Sequence, residues 1–148
     1  MPPASGRPAA TIDVDIVAMD MGEKQPRILA SELDTAGLNF PTGYSDDGGN
    51  LKYYLRQDGA PLVAEKISQM KAFTAVAMEK STAEVGEISK AETPGIELVP
   101  NLIKFGGGIP IKNSKGQILG GIGVSGASKE DDAACAQAGL DAVKALLK

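Results

Sequence analysis

The sequence predicts an α+β fold in which helices cover an antiparallel sheet. Two observations indicate this class. Short alternating segments bounded by glycine-rich turns are typical of strand hairpins, and three or four other segments carry helix start signals or apolar residues at helical spacing. The 148 residues fit one compact domain, since a chain of this length buries roughly 70% of its unfolded surface on folding.

Residues 1–20 are predicted to form a flexible N-terminal arm with an extra strand, and residues 21–148 to form the folded domain. Prolines near the start favour the flexible arm. Apolar residues alternate with aspartates over residues 11–19, which indicates a half-buried strand. Over residues 27–36 apolar positions recur near helical spacing, and Gly37 follows where a helix would end, so a helix is predicted there.

A β-hairpin is predicted around the turn at residues 46–50, Asp-Asp-Gly-Gly-Asn. Residues 51–56 alternate apolar and polar side chains and form its second strand. The first strand, residues 39–45, is expected to be an edge or irregular strand, because Pro41 cannot donate a ladder hydrogen bond.

The middle of the chain predicts two helices. Pro61 suits the first position of a long helix, and its predicted apolar stripe comprises Val63, Ile67, Met70, Phe73 or Thr74, and Ala77. A shorter helix starts at Ser81, which forms a capping-box pattern with Glu84, and ends before Pro94.

The last part of the chain predicts three strands, over residues 102–105, 109–112 and 117–125, and a final helix. Ser128 and Asp131 have the spacing of a cap for that helix. One face of the last strand carries isoleucine and valine, and the other is nearly bare because glycines occupy it. So many glycines mark a place where a helix, a ligand or another backbone comes very close.

The composition excludes several kinds of chemistry. The chain has no histidine, so a Ser-His-Asp or Cys-His nucleophile is excluded. Cys135 is the single cysteine, which rules out an intrachain disulfide and a zinc site built within one chain. Metals with oxygen ligands remain open, as does a site shared between subunits.

The net charge of −4 lacks the excess of positive charge that nucleic-acid binding needs, so neither DNA nor RNA is expected as a partner. With 23% charged residues, no membrane span is expected either. The start of the chain lacks a basic region followed by an apolar segment, and we therefore expect a cytoplasmic protein.

Two glycine-containing segments are candidate ligand sites. Backbone N–H groups of Gly106, Gly107 and Gly108 could bind an anion, or these glycines could supply a sharp corner with positive φ. Ser125 and Gly126 lead into the N-terminus of the last helix, where free N–H groups attract carboxylates and phosphates. Residues 121–126 match a dinucleotide-binding glycine pattern, but in the wrong context, because the glycines alternate with Ile and Val within a predicted strand and the later acidic residue, Asp141, lies in the last helix.

Three side chains are candidates for proton transfer or anchoring. Lys71, if partly buried, could act as a base, a Schiff-base former or a carboxylate anchor, and otherwise it lies at the surface with its stem on apolar groups. Asp58 stands in a Gln-Asp-Gly turn, where forming the turn is its ordinary role. Tyr44 and Asp58 are the groups that could move a proton beside Lys71.

Several stretches together carry a family resemblance. They are Tyr44–Leu51, Arg56–Ala60, Lys71–Ala75, Ser81–Glu84, Gly106–Ile111 and Gly120–Ala127, the last followed by Glu130-Asp131-Asp132. In this order and spacing, across about residues 27–147, the sequence resembles the GlcG/HbpS-like proteins and the C-terminal domain of PduO-type proteins.

The resemblance implies a profilin-like fold with a five-stranded antiparallel sheet, assembly into homo-oligomers, and haem or a related tetrapyrrole as the ligand. It also implies which residues of this chain belong to the binding site, and these are expected around one cleft: Asp58, Lys71, Thr74, Gly106, Gly107, Gly108, Ser125 and Gly126. Some relatives bind haem iron through histidine, so iron in this chain would need a different ligand.

Three functions follow from these residues. The first is an oligomeric protein that binds a small molecule, with Thr74 and the glycines at the ligand. The second is a cofactor-independent lyase or isomerase for a small carboxylate or aromatic acid, with Lys71 as anchor and Asp58 or Tyr44 moving a proton. The third is an accessory subunit whose glycine face packs against a neighbour. The sequence leaves open whether the protein is an enzyme.

Overall fold

The computed structural model describes residues 15–18, 42–45, 48–56 and 60–144. Its strands are β1 (Asp15–Ala18), β2 (Thr42–Ser45), β3 (Leu51–Arg56), β4 (Gly108–Lys112) and β5 (Ile118–Ser125), and its helices are α1 (Leu62–Met78), α2 (Thr82–Ala91) and α3 (Lys129–Val143). A 3₁₀ turn spans Ile96–Leu98. The predicted α+β class, with helices and an antiparallel sheet, is confirmed. The predicted helix over residues 27–36 and most of the arm lie outside the described residues.

The sheet is mainly antiparallel. β4 pairs with β5 and β2 with β3, while β1 pairs antiparallel with β3 and β5 and parallel with β2. The predicted hairpin is therefore present, and a register shift between Tyr44 and Ser45 confirms that its first strand is irregular. The expected edge position is wrong, because Ser45 pairs with Gly121 of β5. The described part of this strand begins at Thr42, and Pro41 lies outside the described residues.

Helix α1 covers the sheet with small residues. Its buried positions are Ala64, Ser68, Lys71, Ala72, Thr74, Ala75 and Val76. The predicted apolar stripe is wrong, since Val63 is 63% exposed and Ala77 is exposed. A Cβ added at Gly123 would overlap the carbonyl oxygen of Ser68. The bare face of β5 thus brings the backbone of α1 close, and only short side chains fit between them.

The strand predicted over residues 102–105 is absent, although Leu102 and Ile103 are buried. The backbone N–H of Ile103 donates instead to Thr74 Oγ1 of α1, at 3.0 Å. A hydrogen bond to a helix side chain satisfies this buried N–H without a neighbouring strand.

The two predicted caps are present. Ser81 Oγ accepts from the N–H of Glu84, whose carboxylate accepts from the N–H of Ser81, so the capping box is complete. Ser128 Oγ accepts from the N–H of Asp131 at the start of α3. None of the described helices is long and apolar enough to cross a membrane.

Candidate functional site

Lys71 is a buried cation at the centre of the site. Its side chain is 1% exposed, and Nζ donates to Asp132 Oδ2 of α3 and to the carbonyl oxygen of Val124, both at 2.9 Å. Burial lowers the pKa of Lys71, and the hydrogen bond and charge of Asp132 oppose that shift. The amine therefore ties α1 to the end of β5 and to α3.

The glycine corner before β4 provides the space for this amine. Gly107 has φ of +129°, and a Cβ there would lie 2.7 Å from Lys71 Nζ. Its carbonyl accepts from the N–H of Val124 at 2.9 Å. Of the two alternatives for this segment, the geometry matches the sharp corner, since a positive φ and the passage of the lysine both require glycine.

Two buried threonines hold the backbone around the corner. Thr82 Oγ1 accepts from the N–H of Gly108 at 2.9 Å. Thr74 Oγ1 accepts from Ile103 N–H and donates to the carbonyl of Asn101 at 3.2 Å. Thr74 thus fixes the segment that leads to the corner, and it does not line the groove described below.

The N-terminus of α3 is bound by the chain's own acceptors. The N–H of Ala127 donates to Asp132 Oδ1 at 3.0 Å, while Oδ2 of the same carboxylate accepts from Lys71. This carboxylate takes the place that an external anion would fill at such a helix end. Ser125 is 5% exposed and Gly126 has φ of +132° at this turn.

Two adjoining cavities meet at Phe105 and Lys129, which line both of them. One, of about 260 Å³, lies between the start of α1 and the turn at Ser125; the other, of about 360 Å³, lies between α2 and α3. We call the two together the Phe105 groove. Ligand pockets usually have volumes of roughly 300–1,000 Å³, so the groove has room for a small organic molecule.

Apolar side chains line much of the groove above the ion pair. The Phe105 side chain is 40% exposed, and its ring centroid lies 5.2 Å from Lys71 Nζ, so the inner side of the ring contacts the buried cation. Val63 and Ile67 of α1 line one end, and Ala83 and Ala133 line the other. The exposed part of the ring is therefore available to a flat apolar ligand.

Lysines surround the second cavity. Lys90, Lys104 and Lys129 line it, and their Nζ atoms lie 3.2, 3.3 and 4.0 Å from the carboxylates of Glu87, Glu97 and Glu130. The side chains of these pairs are 41–77% exposed. Because exposed pairs contribute little stability, the lysines can exchange those partners for a ligand's carboxylates at small cost.

The structure brings some predicted site residues together and not others. Lys71, Ser125 and Gly126 line the first cavity, and Gly106 lines the second. Tyr44 is placed by its backbone on β2, paired with Tyr53. Asp58 lies outside the described residues.

Phe105 and Asp132 were missed as site residues. Phe105 stands alone between Lys104 and three glycines, and an isolated aromatic residue next to a glycine corner was a usable signal. Asp132 lies in the acidic run that follows Ser128, where it is indistinguishable from a solvated helix cap.

No group of three or more His, Cys, Asp or Glu side chains is positioned to hold a metal ion in the described part of the chain. Cys135 is half-buried on α3, and burial next to Asp132 and Asp131 raises its thiol pKa to about 11. A thiol with this pKa is protonated at neutral pH and a poor metal ligand.

Fold and groove together define a small α+β domain with a binding cleft beside a buried ion pair. The family model described as "Haem degrading protein HbpS-like" matches residues 30–141. The chain belongs to this HbpS-like family, and the resemblance to GlcG/HbpS-like proteins and PduO-type domains is confirmed.

Individual relatives agree with this assignment. A 15.0 kDa protein from the dhaT-dhaS intergenic region of Citrobacter freundii is 33% identical over 118 residues, which cover 76% of this chain and 82% of that protein. The crystal structure of a PduOC–haem complex is 30% identical, with a TM-score of 0.70 over 85% of this chain and 95% of that one. A double mutant of HbpS from Streptomyces reticuli is 27% identical, with a TM-score of 0.65 over 88% of this chain and 70% of that one.

Proposed function

We propose that this protein binds a tetrapyrrole of the haem class in the Phe105 groove. The observation that carries the proposal is the structural similarity of this chain to PduOC, which was solved as a haem complex and of which 95% is covered. The HbpS-like family model, described by haem degradation, supports the same ligand class.

The described residues suit the apolar ring of such a ligand. Phe105 offers an exposed aromatic side, and Val63 and Ile67 extend the apolar surface along α1. A flat conjugated ring can stack on an aromatic side chain and bury apolar surface there. The stacking itself contributes about 0.5–1.5 kcal/mol to the binding free energy, beyond the contribution of the buried area.

The described residues also suit the propionate carboxylates of a tetrapyrrole. Lys90, Lys104 and Lys129 line the second cavity, each paired with an exposed or half-exposed carboxylate that a ligand can replace. A carboxylate gains a charge-assisted hydrogen bond from an ammonium group, which is shorter and stronger than a neutral one.

Titration of the purified protein with hemin tests the proposal. We expect a saturable Soret shift, and we expect Phe105→Ala to weaken binding by about tenfold. Phe73→Ala is the matched control, because it removes the same kind of side chain from a separate cavity on α1. Absence of saturable binding, or equal weakening by both variants, contradicts the proposal.

Assembly and fold detail belong to the same proposal. We propose a homo-oligomeric, cytoplasmic protein with a profilin-like sheet of five strands, as the family resemblance implies. Native mass spectrometry gives the subunit number directly, and a monomer at micromolar concentration overturns this part.

A second candidate is the cofactor-independent lyase or isomerase. The observation that favours it is the desolvated amine of Lys71 in contact with the Asp132 carboxylate at the floor of the groove, an arrangement able to pass a proton. Retention of full turnover in Lys71→Arg, which keeps the charge but changes the donor geometry, would exclude Lys71 as the base for any substrate found.

A further inference from the structure

We infer that the Phe105 groove binds its tetrapyrrole through the ring and the carboxylates, without an iron ligand from the described residues, so that metal-free porphyrin binds as well as haem. This inference rests on the proposed function and names the part of the ligand that the site recognises. Its first support is the donor set, since haem iron in proteins is held by His, Cys, Met or Tyr side chains.

The lining of the groove lacks all four of these side chains among the described residues. The chain has no histidine at all. Met70 lines a different cavity, together with Leu51 and Phe73. The polar side chains of the groove are lysines, carboxylates and Ser125.

Cys135 is close in sequence to the groove residue Ala133 but is unsuited to iron. It does not line either cavity, and its half-buried thiol lies next to the negative charges of Asp132 and Asp131. The thiolate is the form that binds iron, and this environment disfavours it.

The charged side chains of the groove already form hydrogen bonds and ion pairs with other groups of the protein. Lys71 donates to Asp132 and to the Val124 carbonyl at 2.9 Å. The lysines at the rim pair with carboxylate partners, and an ammonium group has donors only, with no lone pair for a metal. What remains for a ligand is ring contact at Phe105 and charge pairing with those lysines.

The experiment compares four ligands on the full chain: hemin, metal-free protoporphyrin IX, zinc protoporphyrin and the dimethyl ester of protoporphyrin. Fluorescence quenching and absorbance give each dissociation constant. We expect hemin and metal-free protoporphyrin to agree within about threefold, and the ester to bind at least about tenfold more weakly, because it lacks both carboxylate charges.

Matched variants assign the recognition to the groove. Lys129→Gln, at the junction of the two cavities, is expected to weaken hemin and metal-free protoporphyrin by the same factor of about three. Lys66→Gln, which removes an exposed lysine that lines the separate cavity at Phe73, is the control and is expected to change neither.

The outcomes separate this inference from the proposed function. If no tetrapyrrole binds, the proposed function fails. If hemin binds at least about tenfold more tightly than metal-free protoporphyrin, tetrapyrrole binding stands and the iron-independent mode is overturned. If the ester binds as well as the free acid, the carboxylate recognition is overturned while the ring contact stands.

Discussion

Lys71 Nζ lies 2.9 Å from Asp132 Oδ2 in the interior, and this ion pair joins α1 to α3 across the end of β5. Both side chains are nearly inaccessible, at 1% and 3% exposure. The carboxylate also accepts from Ala127 N–H, and the amine also donates to the Val124 carbonyl, so each charge has a second partner. The pair forms the base of the Phe105 groove and fixes its geometry.

Removal of one charge from this pair is expected to destabilise the fold strongly. Lys71→Met leaves Asp132 buried without its cation, which typically costs about 3–5 kcal/mol in the free energy of unfolding. Urea denaturation followed by circular dichroism measures the loss. A loss below about 1 kcal/mol would contradict the buried position of the pair, because exposed pairs are worth no more than that.

The double variant Lys71→Met with Asp132→Asn is the control. It removes both charges, so it is expected to be less destabilised than the sum of the two single variants by at least about 1 kcal/mol. Additive losses would show that the two side chains do not interact.

Thr74 is expected to stabilise the fold through its hydrogen bonds to the backbone of Asn101 and Ile103. Thr74→Val keeps the shape of the side chain but leaves the buried Ile103 N–H without its acceptor, at a cost of about 1–3 kcal/mol. Thr74→Ser keeps the hydroxyl and is expected to lose less than half as much. Thermal unfolding of both variants measures the difference, and equal losses would argue that the methyl group matters instead of the hydrogen bond.

The contact between β5 and α1 is expected to be intolerant of a single methyl group. In Gly123→Ala the new Cβ meets the backbone of α1 at Ser68 and Ala72, so the helix must move, at a cost of about 3 kcal/mol or more. Gly116→Ala is the matched control in an open turn, where nothing lies within 4 Å and only the φ of +79° is unfavourable. Its cost is expected near 1 kcal/mol. Chemical denaturation of the two variants in parallel ranks them, and similar losses would contradict the close approach of α1.

The start of α2 is expected to weaken in acid. Hydrogen bonds from the backbone and hydroxyl of Ser81 lower the pKa of Glu84 below its usual 4.5. A carboxyl whose pKa is lowered by folding stabilises the native state above its unfolded pKa, and that stability is lost as the pH falls through the folded pKa. The stability difference between the native chain and Glu84→Gln is therefore expected to be present at pH 7 and to be lost as the pH falls below 4.5 and through the lowered pKa of the folded state. Unfolding curves at several pH values measure it, and a difference that stays constant with pH would be inconsistent with a lowered pKa.

Local chemistry made several elements predictable. The caps at Ser81 and Ser128 depend on residues three positions apart, so their spacing alone is a reliable signal. The hairpin depends on a glycine-rich turn between two alternating segments. The corner at Gly107 depends on a backbone angle that favours glycine. The sequence signal for each of these features lies within a few residues of chain.

The remaining features depend on segments far apart in sequence. Lys71 looked like a border residue of an apolar stripe, yet it is buried because Asp132, 61 residues later, and the Val124 carbonyl, 53 residues later, supply its partners. Residues 102–105 looked like a strand, but Thr74 of α1 satisfies the N–H of Ile103.

By itself the sequence determined the caps, the turns, most element boundaries and the family, because these are set by short-range hydrogen bonding and by residue order. Only the tertiary structure decided which face of α1 is buried. The glycines of β5 lack a Cβ, and they allow α1 to approach so closely that alanine and serine fill the contact while the larger Val63 and Met70 are displaced to the side. The spacing of apolar residues predicts that the most hydrophobic face of a helix is buried. In α1 the buried face is instead the one whose side chains are small enough for the narrow space between the backbones of α1 and β5.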